Sequence, residues 1–439
     1  MSKETLKKSV TTIEALAIVV GMIIGSGIFL KPAIVLGHAG SQWMSIFAWV
    51  AGGVITLASA LTVAEIAAAI PKSGGLYTYL EELYGGVFGF LLGWVQTVIS
   101  YPASVAALAI AFATYSGYFL PMGGFVQKLV AVGILLFILL MNVLSTKYGG
   151  IIQMVATAGK LVPVIGIIAV GLASGDAPGF AGISSGATAA GFGAAVLGTL
   201  WAYDGWIGVT NMAGEIRNSA RTLPRVILGG VLFVMVVYVL FNLAIFRALP
   251  FEAIVNSKTP GADAADALFG NGGGAFITAG IIVSVLGALN GYLMTAARVP
   301  QAMGEQGQVP FSRVLGAVHP KFKTPANALI FQAALAVLYI FSGTFDTLTD
   351  LLVFVLWIFF TMGVFGVFLL RRRQKTEAGR YRVPLYPITP LVGVIGGGYI
   401  IVSTIMAEPA RSFIGIGITL IGLPVYYYMA GKRKRQAGV

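Results

Sequence analysis

Apolar runs long enough to cross a bilayer recur along nearly the whole chain, and this repetition constrains the fold more than any other feature. Hydropathy places twelve of them near residues 11–36, 42–70, 85–118, 124–145, 150–173, 188–213, 224–247, 273–297, 326–344, 346–370, 386–406 and 412–431. In lipid, backbone outside a helix or closed barrel leaves N–H and C=O groups unpaired, at several kcal/mol each. Runs of this length therefore read as helices. Only 10% of the 439 residues are charged, against about 25% in a typical soluble domain. The expected fold class is an all-α polytopic membrane protein with a single transmembrane domain over 1–439. The least distinct pair is 326–344 and 346–370, separated only by the Gly343–Asp346 turn.

Orientation follows from the basic residues. With the N-terminus inside, the inner segments carry twenty-two of the 28 Lys and Arg. The outer side carries five: Lys31, Lys128, Arg247, Lys258 and Arg411. Both termini are then cytoplasmic and the span count is even. The basic residues form short inner loops and a Lys432–Arg435 tail suited to anionic lipid headgroups, which excludes a nucleic-acid partner. The basic N-terminus lacks a cleavable signal pattern, so the first span is expected to be retained. With no cysteine, the chain has no disulfide and no thiolate metal site. No nucleophile–base pair, phosphate loop or metal-spaced cluster stands out, so neither an enzyme nor a cofactor is expected.

Two spans are interrupted. Span one, Ala15–Leu30, holds Gly25-Ser26-Gly27 ahead of Lys31-Pro32. Each interior glycine weakens a helix by about 1 kcal/mol relative to alanine. A break here ends one half-helix near Ile24 and starts the other near Gly27. Free N–H groups and a positive dipole end then face an anion, while free carbonyls suit an ammonium. An amino acid carries both groups a short distance apart. Close helix packing through small residues is the competing reading. Span six holds Trp201-Ala202-Tyr203-Asp204-Gly205-Trp206 mid-membrane. Trp201 is placed to cover a ligand. Asp204 reads as a cation site, a proton acceptor, or a cap accepting the free N–H groups of the outer half of span six. The two breaks sit five spans apart, so the halves 11–173 and 188–370 have opposite topology, with 386–431 appended. Interrupted helices at matching places in inverted halves point to a secondary transporter's midplane site.

Lys160 lies about eleven residues from either end of span five, roughly 16 Å along the helix. Its ammonium cannot snorkel that far and must meet polar protein or water. Carbonyls freed in span one are one expected partner; Ser284 and Asn290 of span eight are others. A salt bridge to Asp204 or Glu65 is the structural alternative. A fixed ammonium at the break would take the place of a sodium ion. Glu65 otherwise reads as structural, Glu215 with Arg217, Arg221 and Arg225 as an inner network, Tyr238 as interior packing, and Asp263, Asp266 and Gly272–Gly274 as an outer loop.

The segments GMIIGSGIFLKP, AEIAAAIPKSGGLYTYL, GKLVPV around Lys160, WAYDGWIGVTNMAGEIRNSARTLPR, and PLYPITP at Pro384–Pro390 resemble the L-amino-acid transporters (LAT) of the amino acid–polyamine–organocation (APC) superfamily. The resemblance is to the bacterial serine/threonine or alanine–serine exchanger type and spans almost the whole chain. It implies the LeuT-type fold: twelve transmembrane helices in a 5+5 inverted repeat, with helices 1 and 6 broken. It also implies that amides of Ser26, Gly27 and Ile28 hold a substrate carboxylate, with Gly25 beside them in the substrate site. Carbonyls of Ile23, Trp201, Ala202 and Asp204 would take the amino group, with Tyr203 and Gly205 completing the substrate-binding residues of the second break. The resemblance further assigns Trp201 to an aromatic gate, Lys160 to the sodium-site region of sodium-independent members, and Tyr238 to the same path; Ser284 joins them as a coupling candidate. The expected function is sodium-independent exchange of small neutral L-amino acids such as alanine, serine and threonine by alternating access at the cell membrane. A proton-coupled symporter and a non-transporting amino-acid receptor are the alternatives. Animal relatives bond a heavy subunit through a cysteine; none is expected here.

Overall fold

A computed structural model describes residues 12–70, 75–144, 146–176, 189–207, 219–322, 324–373 and 381–436. The described residues form helices joined by short connections. In order these are α1 (Thr12–Ile23), α2 (Gly27–Ala39), α3 (Gln42–Ala69), α4 (Gly75–Tyr84), α5 (Gly86–Ser116), α6 (Gly124–Leu144), α7 (Thr146–Ser174), α8 (Ala189–Ala202) and α9 (Ser219–Ala248), followed by α10 (Phe251–Val255), α11 (Pro260–Ala296), α12 (Arg298–Glu305), α13 (Ser312–Leu315), α14 (Ala326–Ser342), α15 (Phe345–Arg373), α16 (Ile388–Ala407) and α17 (Pro409–Gln436). Eight of these helices are long and apolar enough to cross a membrane, and four shorter apolar stretches occupy Gly27–Ala39, Gly159–Ser174, Gly191–Ala202 and Ala326–Ser342. The molecule is a multi-pass helical membrane protein.

The faces show what the solvent is. On α6, Ala131, Leu135, Ile138 and Asn142 recur at three- and four-residue steps and are buried. The opposite face exposes Phe125, Leu129, Leu136 and Leu140. A stripe of large apolar side chains on an exposed face is a liability in water and the normal condition in lipid.

Helix interruptions are compensated by side chains from neighbours. In α5 the stretch Gln96–Ser100 is a π-helical turn, directly before Tyr101 and Pro102, the latter with no N–H to offer the preceding turn. The Thr97 carbonyl accepts Gln332 Nε2 (3.0 Å) and the Val98 carbonyl accepts the Tyr339 hydroxyl (2.9 Å), both from α14. On another side of the bundle, Glu65 at the end of α3 accepts both Arg371 Nε and Arg371 Nη2 at 2.8 Å and the Val383 amide at 2.7 Å. This pair ties α3 to the end of α15 and to the segment leading into α16.

One sequence expectation fails here. Asp263 and Asp266 do not lie in an outer loop but in the first turns of α11. A short helical stretch runs from Pro260, and the non-helical Gly270 (φ 69°, ψ 174°) separates it from the membrane-length stretch that begins at Gly272. Asp263 accepts from Ser257 Oγ at 2.5 Å and Thr259 Oγ1 at 3.3 Å, and Asp266 accepts the Tyr118 hydroxyl at 2.5 Å. The glycines after residue 270 imitate a turn signal, but only Gly270 takes up the left-handed backbone. Span six beyond Ile207, together with Glu215 and Arg217, lies outside the described residues.

Candidate functional site

The site is built where two helices end. α1 stops at Ile23 and α2 starts at Gly27. A helix leaves its last four carbonyls and first four amides without intrahelical partners. At the end of α1 three of these carbonyls, and that of Ile24 just beyond, find partners. Val20 O accepts the Ile24 amide. Gly21 O and Ile24 O accept Lys160 Nζ at 2.6 and 3.1 Å. Ile23 O accepts the Tyr238 hydroxyl at 2.9 Å. The partial negative charge of the α1 C-terminus thus meets a buried ammonium, the favourable sign for a helix end. Lys160 is 2% exposed, and these carbonyls are what its charge rests on.

At the start of α2 the Ser26 carbonyl accepts the Phe29 and Leu30 amides. The first-turn amides of Gly27 and Ile28 have no preceding turn of α2 to supply their acceptors. Ser26 Oγ is buried, makes no capping bond and has no hydrogen-bond partner among the described residues. A buried hydroxyl without a partner costs about 1–3 kcal/mol, so this position is poised for a polar ligand. The half-helix is held by the Tyr115 hydroxyl on Phe29 O (2.9 Å) and by edge packing of Phe29 on Phe241 (5.6 Å).

The second break begins where α8 ends at Ala202. Tyr203 and Asp204 turn back, their amides donating to Thr199 O and Trp201 O. Gly205 has φ +107°, and a Cβ there would lie 3.0 Å from the Met22 carbonyl carbon and oxygen. Glycine is therefore required both by the backbone angle and by the neighbouring backbone of break one. Gly27 is the other close approach: a Cβ on it would sit 2.6 Å from Ala202 Cα. The two breaks touch through these glycines.

Tyr238 of α9 joins them. Its hydroxyl lies 2.9 Å from Ile23 O and 2.8 Å from Ala202 O, and its ring packs on Trp49 (5.4 Å) and Tyr203 (5.1 Å). It is thus more than interior packing: it bridges the carbonyl ends of α1 and α8. A carbonyl oxygen has two lone pairs, so Ile23 O and Ala202 O keep capacity for a second donor. Trp201 is 6% exposed, its ring against Tyr292 (6.3 Å) and edge-on to Phe345 (6.0 Å).

Three expectations are corrected. Asp204 does not cap free N–H groups of α8: it follows that helix's C-terminus, which presents carbonyls, and its Oδ2 accepts the Tyr292 hydroxyl at 2.8 Å. Lys160 does not pair with Asp204 or Glu65, which are engaged by Tyr292 and Arg371. Nor is it held by Ser284 or Asn290. Ser284 Oγ is buried without a partner among the described residues, and Asn290 Oδ1 accepts Asn142 Nδ2 at 2.9 Å. Sequence reasoning misses two participants. Tyr292 is a lone tyrosine in the aliphatic run GALNGYLMTA, a signal open to such reasoning. Lys31, counted among outer-side cations, is fully buried on Asp346 and Asp350. Those partners lie more than 300 residues away, so nothing local announces them.

Residues 10–430 match the family model described as amino acid permease. The serine/threonine exchanger SteT of Bacillus subtilis (strain 168) is 43% identical over 433 residues, covering 98% of each chain. The b(0,+)-type amino acid transporter 1 of Mus musculus is 32% identical, covering 97% of this chain and 88% of its own. The human cystine/glutamate transporter is 31% identical, covering 97% and 86%. A family match over nearly the whole length, on a fold of membrane-length helices, means that this chain belongs to the amino acid permease family of the APC superfamily, a family of transporters rather than enzymes.

Proposed function

We propose that the chain is a sodium-independent exchanger of small neutral L-amino acids such as alanine, serine and threonine, working by alternating access across the cell membrane. The observation that carries this reading is the ammonium of Lys160 on Gly21 O and Ile24 O. It places a built-in cation at the carbonyl end of the first break, where an unpaired helix end would otherwise attract a metal cation. The remaining open groups match a zwitterion. The first-turn amides of α2, with the free Ser26 hydroxyl, suit a carboxylate. The second lone pairs of Ile23 O and Ala202 O suit an ammonium. Membrane-buried half-helices with opposed polar ends are the arrangement expected of a secondary transporter's midplane site.

The topological part of the proposal is twelve spans, both termini cytoplasmic, and repeats 11–173 and 188–370 in opposite orientation, followed by 386–431. Eight long and four shorter apolar helices occupying the twelve apolar runs support it. So does the position of the two breaks, at Ile24–Ser26 and after Ala202. Without a cysteine the chain offers no disulfide to a heavy subunit, which supports a transporter that works alone. The exchanger named among its relatives adds to the case for exchange.

The test uses purified protein in sodium-free liposomes. Radiolabelled L-serine should enter vesicles preloaded with unlabelled L-serine and not empty ones. Entry into empty vesicles driven by an imposed proton gradient would replace exchange by proton symport, and binding without flux would point to a receptor.

A further inference from the structure

The connection between α15 and α16 has the wrong composition for a loop in water. Pro384, Leu385, Tyr386, Pro387 and Ile388 are exposed in succession. A run of consecutive exposed apolar residues is a fault in a soluble protein unless something covers it. Leu385 and Ile388 are 74% and 62% exposed, and Leu391, in the first turns of α16, extends the patch at 42%. Leu385 has φ 52°, a left-handed backbone that glycine takes freely and other L-residues take at a cost. Phe311 (φ 57°), just before α13, is the other non-glycine residue of this kind among the described residues. It too is large, apolar and 81% exposed. In both places an unfavourable backbone angle displays a hydrocarbon side chain.

The patch is held rigidly. Arg371, in the last turn of α15, donates from Nε and Nη2 to the two carboxylate oxygens of Glu65 at 2.8 Å, and Glu65 Oε2 also accepts the Val383 amide at 2.7 Å. The same guanidinium lies over the Tyr386 ring, 3.7 Å from its centroid, and that ring packs on Phe368 at 5.6 Å. Leu385 O accepts the Ile388 amide at 2.7 Å, and Thr389 Oγ1 donates to Pro384 O at 2.7 Å. A surface fixed in this way loses little freedom when a ligand settles on it.

The charge beside it has one sign. Residues 366–373 and 381–391 contain four arginines and no carboxylate. Arg371 is spent on Glu65. Arg372, Arg373 and Arg382 are exposed, and Arg373 Nη1 reaches the Glu82 carbonyl at 3.4 Å. Guanidinium groups match the oxygens of a phosphate, and basic residues at the end of a membrane-spanning helix suit an anionic lipid surface. The hydrocarbon next to them selects a lipid over a soluble phosphate. A headgroup is met by arginine, and the glycerol and upper acyl carbons by Leu385, Ile388 and Leu391.

We propose that the α15–α16 connection is a preformed binding site for an anionic phospholipid, with Arg372 and Arg382 on the phosphodiester and Leu385, Ile388 and Leu391 against the acyl chain. In the topology proposed above this lipid belongs to the cytoplasmic leaflet. Through Arg371, Glu65 and Val383 the bound lipid also braces the junction of α3, α15 and α16.

The test titrates detergent-purified protein with phosphatidylglycerol or phosphatidylcholine and reads occupancy of the first bound lipid by native mass spectrometry. Phosphatidylglycerol should bind at least fivefold more tightly than phosphatidylcholine. Arg372→Gln together with Arg382→Gln should weaken phosphatidylglycerol at least fivefold. Leu385→Asn removes the hydrocarbon while tolerating the left-handed backbone. It should weaken phosphatidylglycerol at least threefold, with the lipid-free melting midpoint unchanged. Lys432→Gln with Lys434→Gln, an equal loss of charge from the basic tail, should change binding less than twofold. Should the arginine pair not fold, Arg382→Gln alone is read the same way. Equal retention of the two lipids, or an equal loss in the tail variant, overturns the site. Full binding in folded Leu385→Asn, with the lipid displaced by glycerol phosphate, would make this a site for a soluble anion and overturn the lipid assignment. The readout does not depend on transport.

Discussion

Gly25 and Gly27 are two residues apart, yet the structure assigns them opposite reasons for being glycine. A Cβ at Gly25 would meet only Ala288 Cβ at 3.8 Å and Ile23 O at 4.0 Å, ordinary contacts, and no positive φ forbids alanine there. A Cβ at Gly27 would lie 2.6 Å from Ala202 Cα, so the half-helices must part by about 1 Å. Overpacking of that kind costs about 1–3 kcal/mol. Gly25→Ala should therefore leave the thermal midpoint in detergent unchanged or slightly raised, since replacing glycine restricts the unfolded chain by about 0.4–1 kcal/mol. If a ligand fills the space beside Gly25, the same methyl group takes about 1–3 kcal/mol from binding, a rise in exchange KM of about 5- to 150-fold. Gly27→Ala should lower both the midpoint and exchange. The assay is serine exchange in liposomes beside a melting curve for each variant. Gly25→Ala with wild-type KM and midpoint would refute the reasoning, because the open space beside the break would then have no tenant.

Lys160→Ala should leave folded protein recoverable but reduce exchange at least tenfold, since it strips Gly21 O and Ile24 O of charge-assisted bonds worth about 1.5–3 kcal/mol each; wild-type flux in vesicles would deny Lys160 its role. Tyr238→Phe keeps the ring and removes the donor shared by Ile23 O and Ala202 O. It should raise KM about fivefold, corresponding to about 1 kcal/mol, with the size-exclusion profile unchanged. Glu65→Gln weakens the contacts to Arg371 and Val383 far from the breaks. It should lower the thermal midpoint by an amount corresponding to about 2 kcal/mol, with KM unaltered.

The parts of the fold legible in the sequence are those written in local pattern. Apolar runs mark the helices, and the narrow Gly343–Asp346 separation marks the α14–α15 pair, which the structure divides at Gly343-Thr344. Gly25-Ser26-Gly27 signals a break because two interior glycines weaken a helix, although close helix packing leaves the same trace in the sequence. Lys160 announces itself because a mid-span ammonium must find a polar partner, although only the structure selects Gly21 O and Ile24 O among the candidates. What escapes depends on distant partners or on chain direction. Lys31 sits near a helix end, where a lysine normally reaches water, and only the approach of α15 buries it. Asp204 looks like a cap because the residue type suits one, but the helix beside it ends there instead of starting. The π-turn before Pro102 is visible only with Gln332 and Tyr339 in place to donate to its carbonyls.

The most direct test of the central claim is a structure of the protein determined with L-serine at a saturating concentration. The account places the ligand carboxylate within hydrogen-bond distance of the Ser26–Ile28 amides and its ammonium on Ile23 O and Ala202 O. Lys160 should remain on Gly21 O. Serine bound elsewhere, as in the cavity beside Asp346 and Asp350, with the breaks empty, would contradict it.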